Sequence, residues 1–307
     1  MATTEQHESV RRPSLFGASR PKERRKAIGR LGPWQLVNQL GEGAMTRVYL
    51  ARPIDRPECR PVYAVKTLRK EWWHDPRAID AQRREAWVGA RVSHPNVAPV
   101  LAAHVASPPF FLAMPRIQGD TLAERLSAGK RPPLALALWI ARQACEGLAA
   151  IDAAVGMIHG DVKPANLIVG TDGHTTLIDL GFCQSPRDSV GWASRAVVGT
   201  LRYLAPERVV STAATDLRSD LYSLGATLYE TLTGVPPLDS DDPAELIAMH
   251  RQAKPVCVRE LRPDLPKPVA SLVHRLLAKE PLRRPSSHRE VIDELVRLEI
   301  LCFQASA

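Results

Sequence analysis

The sequence lacks most of what a secreted, membrane-spanning or metal-built protein would show. No run of 18 apolar residues occurs in its 307 positions, so no segment reads as a membrane helix. The most apolar stretch, Leu134 to Ile158, contains Arg142, Glu146 and Asp152 and reads as a buried helix. The first residues are polar and basic, without the apolar core of a signal peptide. The five cysteines, Cys59, Cys145, Cys183, Cys257 and Cys302, lie far apart with no C-x-x-C pair. That speaks against a disulfide framework and favours a reducing cytoplasm. The nine histidines show no metal-ligand spacing. Internal repeats and low-complexity tracts are also missing.

What is present is an ordinary globular balance, 45% hydrophobic and 24% charged. The net charge of +8 is unevenly placed. Residues 1–30 hold eight Lys/Arg against Glu5, Glu8 and Glu23, so this segment carries most of the excess. The basic character belongs to a tail, residues 1–33, that reads as a solvated, disordered arm. It gives little support to nucleic acid as a partner.

From Trp34 the pattern is that of short strands around one helix. Alternation in Trp34–Leu40, Arg47–Ala51 and Val62–Leu68 predicts three strands. Asp75-Pro76 predicts an N-cap with proline in the first turn, and the helix it opens should run to about Val92. Strands are expected near Val97–Val105 and Phe110–Met114. After Gln118-Gly119 the pattern turns helical. Thr121-x-x-Glu124 is a capping box, and Leu134–Ala154 a long apolar helix. Two short strands, Leu167–Val169 and Thr175–Ile178, interrupt the series. Helices are expected again near Asp216–Thr233, Pro243–Gln252, Val269–Lys279 and His288–Leu298. The fold class is therefore α+β, with a small sheet lobe and a larger helical lobe enclosing a cleft. The expected division is a domain over 34–300, with its small lobe at 34–114, a hinge at 115–118 and a large lobe at 119–300.

Four segments carry chemistry. Gly41-Glu42-Gly43 lies between two strands, where glycines let backbone N–H groups approach phosphate oxygens. Lys66 stands in an otherwise apolar strand, 23 residues beyond Gly43, and Glu85 on the following helix is its natural partner. His159-Gly160-Asp161-Val162-Lys163-Pro164-Ala165-Asn166 is a loop between a long helix and a strand. Asp161 can accept a hydroxyl proton, Lys163 can neutralise a phosphoryl group, and Asn166 can ligate Mg²⁺ through its carbonyl oxygen. Asp179-Leu180-Gly181, thirteen residues after Asn166, offers a second carboxylate to the metal.

Taken in order, these segments resemble the eukaryotic-like (Hanks-type) serine/threonine protein kinases, and the residue usage suggests a bacterial member. The likeness runs from about Trp34 to Leu298. It includes Gly199-Thr200-Leu201-Arg202-Tyr203-Leu204-Ala205-Pro206-Glu207, Ser219-Asp220-Leu221-Tyr222-Ser223-Leu224-Gly225 and Arg283-Arg284-Pro285. The resemblance implies a two-lobe kinase fold, ATP and Mg²⁺ as cofactors, and protein substrates bearing Ser/Thr. Under it Lys66 holds the α- and β-phosphates and Glu85 holds Lys66. Asp161 orients or deprotonates the substrate hydroxyl, Lys163 contacts the γ-phosphate, and Asn166 and Asp179 bind Mg²⁺. Leu40, Val48, Ala64, Met114 and Ile168 enclose the adenine beneath Gly41 and Gly43. Pro115 offers its C=O and Ile117 its N–H to the base. Asp220 braces the catalytic loop, and Arg284 pairs with Glu207.

The chain departs from the family pattern at three places. Thr46 stands where the third loop glycine is usual, Leu180 where phenylalanine is, and Gly160 where the arginine of His-Arg-Asp is. The last change removes the cation that, in the family, receives a phosphate on the activation segment. Of Ser185, Ser189, Ser194 and Thr200 on that segment, Thr200 is expected to be structural. Two rival readings compete with this one. A small-molecule phosphotransferase shares His-Gly-Asp but typically lacks the Lys163-Pro164 pair and the Ala-Pro-Glu segment. A non-catalytic relative would have lost at least one of Lys66, Asp161, Asn166 and Asp179.

Overall fold

The computed structural model describes residues 27–186, 201–210 and 215–306. The expectations for the tail up to residue 26 and for Ser189, Ser194, Gly199 and Thr200 lie outside the described residues.

The small lobe is a six-stranded sheet of β1 (Gly29–Leu31), β2 (Trp34–Glu42), β3 (Thr46–Pro53), β4 (Tyr63–Leu68), β5 (Ala102–His104) and β6 (Phe111–Pro115). Its order is β1-β2-β3-β4-β6-β5, with every neighbouring pair antiparallel. Alternation along the strands sends Leu36, Ala51, Val65, Phe111 and Ala113 into one buried cluster. The opposite face is left for the cleft. Helix α1 (Pro76–Gly89) begins as expected: the Asp75 carboxylate accepts from the N–H of Arg77 and Ala78, and Pro76 occupies the first turn. Trp72 and Trp73 pack with Met45 and Ile79 on Leu68, Ala78 and Phe110.

Two differences from the sequence reading concern backbone partners. The sheet begins at Gly29 rather than Trp34, because residues 29–31 fold back antiparallel on Trp34–Leu36. The strand expected over Val97–Val105 shrinks to Ala102–His104. Pro95 and Pro99 have no N–H to give a ladder. Ala98 N–H instead goes to Leu177 O in the other lobe and Val100 N–H to Gly89 O, both at 2.9 Å. This segment ties the lobes together rather than extending the sheet.

The large lobe opens with β7 (Asp120–Thr121) and α2 (Leu122–Ser127), whose capping box joins Thr121 and Glu124 reciprocally. Helix α3 (Leu134–Val155) follows, and then β8 (Leu167–Val169) and β9 (Thr175–Leu177), which pair with β7 in a small sheet. The series ends with α4 (Pro206–Val210), α5 (Leu217–Thr233), α6 (Pro243–Gln252), α7 (Val258–Leu261), α8 (Lys267–Leu276) and α9 (His288–Ser306). By length and composition alone α3 could cross a bilayer. Here Leu138, Ala141, Cys145, Leu148 and Ile151 of that helix are buried in the lobe core with Leu224 and Leu228 of α5 and Leu295 of α9. Burying a leucine or isoleucine such as Leu138, Leu148 or Ile151 is worth about 1.5–3 kcal/mol, and α3 packs against both α5 and α9.

Candidate active site

The loop after α3 is fixed before any functional group is placed on it. Its chain pairs through Ile158 and Gln184, whose N–H and C=O groups exchange two bonds of 3.0 Å. Asp220, in the first turn of α5, accepts from His159 N–H at 2.6 Å and Gly160 N–H at 2.9 Å. The His159 ring bridges Ile178 O at Nε2 and Asp161 N–H at Nδ1, both at 3.2 Å. That network assigns the neutral tautomer with its proton on Nε2.

Asp161 is thereby presented at the lobe junction. Asn166 Nδ2 donates to its Oδ2 at 2.9 Å and to its backbone O at 2.8 Å, and Lys163 Nζ lies 2.8 Å from Oδ2. Burial pushes the Asp161 carboxyl above its ordinary value, and Lys163 pulls it back.

The second group comes from both lobes. Lys66 Nζ on β4 lies 2.7 Å from Glu85 Oε2 on α1 and 2.9 Å from Asp179 Oδ1 beyond β9. Burial works against the Lys66 ammonium, yet Asp179 and Glu85 outweigh it and hold its pKa above the ordinary lysine value. Burial, with Asp179 nearby, raises Glu85 despite Lys66. Burial also opposes the charge on Asp179, but Lys66 above all, with Lys163, outweighs it and keeps that carboxyl below its usual range. Asp179 is the one non-glycine residue at positive φ (66°) among the described residues. Such a conformation marks a strained, over-determined position. Leu180, placed where phenylalanine is usual, is buried at 1% exposure, so its packing role is kept.

Strand register then places the roof. Val48 pairs with Lys66 and Ala64 with Met114, so these four side chains share the face opposite the lobe core. Leu40 stands at a bulge between Gln39 and Gly41, where an extra residue re-aims the strand. Gly41 and Gly43 form the turn beyond it, and Gly43 N–H donates to Thr46 O at 2.8 Å. The tip is held down from outside: Ala44 O accepts from Arg69 Nη1 and Trp72 Nε1, both at 3.2 Å. Leu167 and Val169 point into the core of the large lobe, so Ile168 between them faces the other way. Arg116 N–H donates to Val62 O at 2.8 Å. Its peptide is trans, so Pro115 C=O points away from β4, past Ala102–Ala113, the last pair of β5. Ile117 follows, half-buried.

Support lies deeper. Arg284 makes a two-pronged pair with Glu207, at 2.7 and 2.8 Å, as the sequence anticipated. Tyr203 O–H donates to Glu230 at 2.6 Å, and Arg202 is paired with Asp239 and Asp241. Sequence reasoning missed the contacts of Arg69 and Trp72 with the glycine turn. It also missed Arg208, whose Nη1 donates to Gly160 O at 2.7 Å. A lone arginine after Glu207 reads as a surface charge; the one available signal was the glycine at 160 where a cation was due.

Two side-chain oxygen donors, a pairing lysine, a buried carboxylate and a second lysine on one cleft can position a phosphoryl group and a hydroxyl acceptor. Comparison with known proteins agrees with this arrangement. The chain is 30% identical over 269 residues to a probable serine/threonine-protein kinase of Clostridium perfringens, covering 87% of this chain and 38% of that protein. It is 33% identical over 270 residues to the serine/threonine-protein kinase PknB of Mycobacterium leprae, covering 86% and 43%. For PknH of Mycobacterium bovis the figures are 32% over 259 residues, 83% and 42%. The chain thus spans well under half the length of these curated relatives. Residues 34–296, which hold most of both lobes and every residue named in the cleft, match the protein kinase domain, and the chain belongs to that family.

Proposed function

We propose that this chain transfers the γ-phosphoryl group of ATP to serine and threonine hydroxyls of proteins, with Mg²⁺ as its metal. The observation that carries the reading is the convergence of Lys66, Glu85 and Asp179, from three elements up to 113 residues apart, beside the Asp161–Lys163–Asn166 set.

The residues fit both groups. Gly41 and Gly43 have no positive φ, and a Cβ at Gly41 would meet nothing within 4 Å. Neither the turn nor packing demands glycine there, so the space they leave suits phosphate oxygens approaching the backbone. The Asn166 NH₂ group is engaged by Asp161, which leaves the amide carbonyl oxygen as a ligand. One third of the Asp179 side chain is exposed (33%). Among the described residues there is no cluster of three or more His, Cys, Asp or Glu. A donor set of two oxygens suits Mg²⁺, which keeps waters and takes phosphate oxygens, and does not suit zinc.

In this reading Lys66, held charged by Glu85, fixes the α- and β-phosphates. Asn166 and Asp179 hold the metal, which when bound offsets the negative charge of the phosphates. Asp161 receives the hydroxyl hydrogen of the acceptor and aims its oxygen at phosphorus, and Lys163 offsets charge on the group in flight. Val48, Ala64, Met114, Leu40 and Ile168 enclose the base, with the Pro115 carbonyl and Ile117 N–H at its edge. The hinge is then 115–118, between lobes at 34–114 and 119–300. Five cysteines that form no disulfide suit a reducing, cytoplasmic setting for this region.

Labelled ATP offered with a generic protein and, separately, with amino-alcohols tests the substrate class. Label on protein serine or threonine is expected. Label on the small alcohols alone would overturn the reading in favour of a small-molecule phosphotransferase.

A further inference from the structure

Gly160 is packed between Phe182 O and the Arg208 guanidinium beneath the catalytic loop. Gly160 has φ +81°, and a Cβ built on it would lie 2.6 Å from Phe182 O and 3.2–3.3 Å from the two terminal nitrogens of Arg208. The positive φ and the approach to Phe182 O exclude a side chain there, and the guanidinium fills the rest of the space. Arg208, on α4 directly after Glu207, is 3% exposed. Burial lowers its pKa, and Asp220, Asp161 and Glu207 act to restore it. An arginine keeps its charge under such conditions.

The bond this cation makes is specific. Arg208 Nη1 donates to Gly160 O at 2.7 Å. That oxygen belongs to the peptide unit whose N–H is Asp161's own, and Asp161 N–H donates to His159 Nδ1 at 3.2 Å. The peptide that carries Asp161 is therefore gripped at both ends. The preceding N–H, on Gly160, goes to Asp220 at 2.9 Å. Rotation of this peptide would swing the Asp161 carboxylate, and the guanidinium opposes that rotation with a charge-assisted bond.

We infer that Arg208 is a positioning residue for phosphoryl transfer: its guanidinium clamps the Gly160–Asp161 peptide and holds Asp161 at the acceptor hydroxyl. The inference rests on the role proposed above for Asp161. Its consequence is regulatory. The cation under the catalytic loop is built into the chain and is present whether or not a phosphate is attached elsewhere.

The test uses the full chain, with competent sites counted by binding of a fluorescent ATP analogue. Arg208→Gln keeps a donor but loses the charge and the fork. Per competent site, kcat should fall about tenfold or more while KM for ATP stays within roughly twofold, and Arg208→Lys should recover most of the loss. A purely architectural role would lower the number of competent sites and leave kcat per site unchanged; that result overturns the inference. If Arg208→Gln does not fold, Arg208→Met, which keeps the buried volume without a polar group, takes its place with the same readout: kcat per competent site about tenfold lower or more supports the inference, and an unchanged kcat per site overturns it. If the wild-type chain transfers no phosphate to protein, the reading beneath the inference fails and takes the inference with it.

Discussion

The two oxygens of Asp220 are each taken by a different backbone N–H, that of His159 at 2.6 Å and that of Gly160 at 2.9 Å. One carboxylate at 1% exposure thus holds two successive peptides of the catalytic loop against α5. Asp220→Asn keeps the shape but turns one acceptor into a donor facing an N–H. Leaving a buried N–H unsatisfied costs about 1–3 kcal/mol. Urea unfolding should show a loss of that size, and kcat should fall with little change in ATP affinity. Unchanged stability and kcat would mean that the loop is held by other bonds.

The Glu207–Arg284 pair should matter for folding more than for chemistry. Arg284 is 4% exposed, and Ser219 Oγ also donates to Glu207 at 2.7 Å. Arg284→Met leaves a carboxylate buried without its cation, at a cost of about 3–5 kcal/mol. Burial works against the Glu207 charge, but Arg284 and Ser219 outweigh it and hold its carboxyl below the ordinary value. The sign follows: the pair's contribution is present above the ordinary glutamate range and is lost as pH falls through the lower folded value. Urea midpoints of wild type and Arg284→Met should therefore differ at pH 7 and converge in acid.

Lys66 and Glu85 should behave as one unit. Lys66→Met removes the phosphate contact, and Glu85→Gln weakens it, so the double variant should be little worse than the poorer single. Additive losses in kcat/KM would show that Glu85 is not the partner that matters. Burial raises Glu85 to about 7 against the pull of Lys66. Protonation below that value removes the partner's charge, so kcat/KM for ATP should fall as pH drops through that region. In Glu85→Gln the fall should move to lower pH, leaving the limb due to Asp161, which burial also raises.

Where chemistry and periodicity coincide, the sequence is enough. Asp75-Pro76 and the Thr121–Glu124 box name their helix starts because the capping bonds are local. Lys66, Asp161, Asn166 and Asp179 are legible because each lies in a segment of fixed spacing. Contacts made across long separations are not. The fold-back of residues 29–31, the diversion of Ala98 to Leu177 and the reach of Arg208 to Gly160 depend on tertiary approach. The Arg69 and Trp72 bonds to Ala44 are of the same kind: nothing local marks a tryptophan as the anchor of a turn 28 residues away.

With glycine at 160 and Arg208 beneath it, the chain is expected to act without a phosphate on the segment after Asp179. Ser185→Ala, Ser189→Ala and Ser194→Ala, combined in one variant, should leave kcat/KM on an added protein substrate within about tenfold of wild type, or about 1.4 kcal/mol. A larger loss would show that a phosphate switch operates. Thr200→Ala is not a suitable test, since the resemblance assigns that residue to the catalytic loop.

The central claim is that Asp161 and Asp179 carry Mg²⁺-dependent phosphoryl transfer to protein hydroxyls. The most direct measurement is transfer from labelled ATP to a protein substrate, with and without Mg²⁺, by wild type, Asp161→Asn and Asp179→Asn, each checked for a native melting temperature. The account predicts that wild type transfers only with Mg²⁺ and that each folded variant loses at least about a hundredfold in kcat. Wild-type rates in either variant, or transfer by wild type that does not depend on the metal, would contradict it.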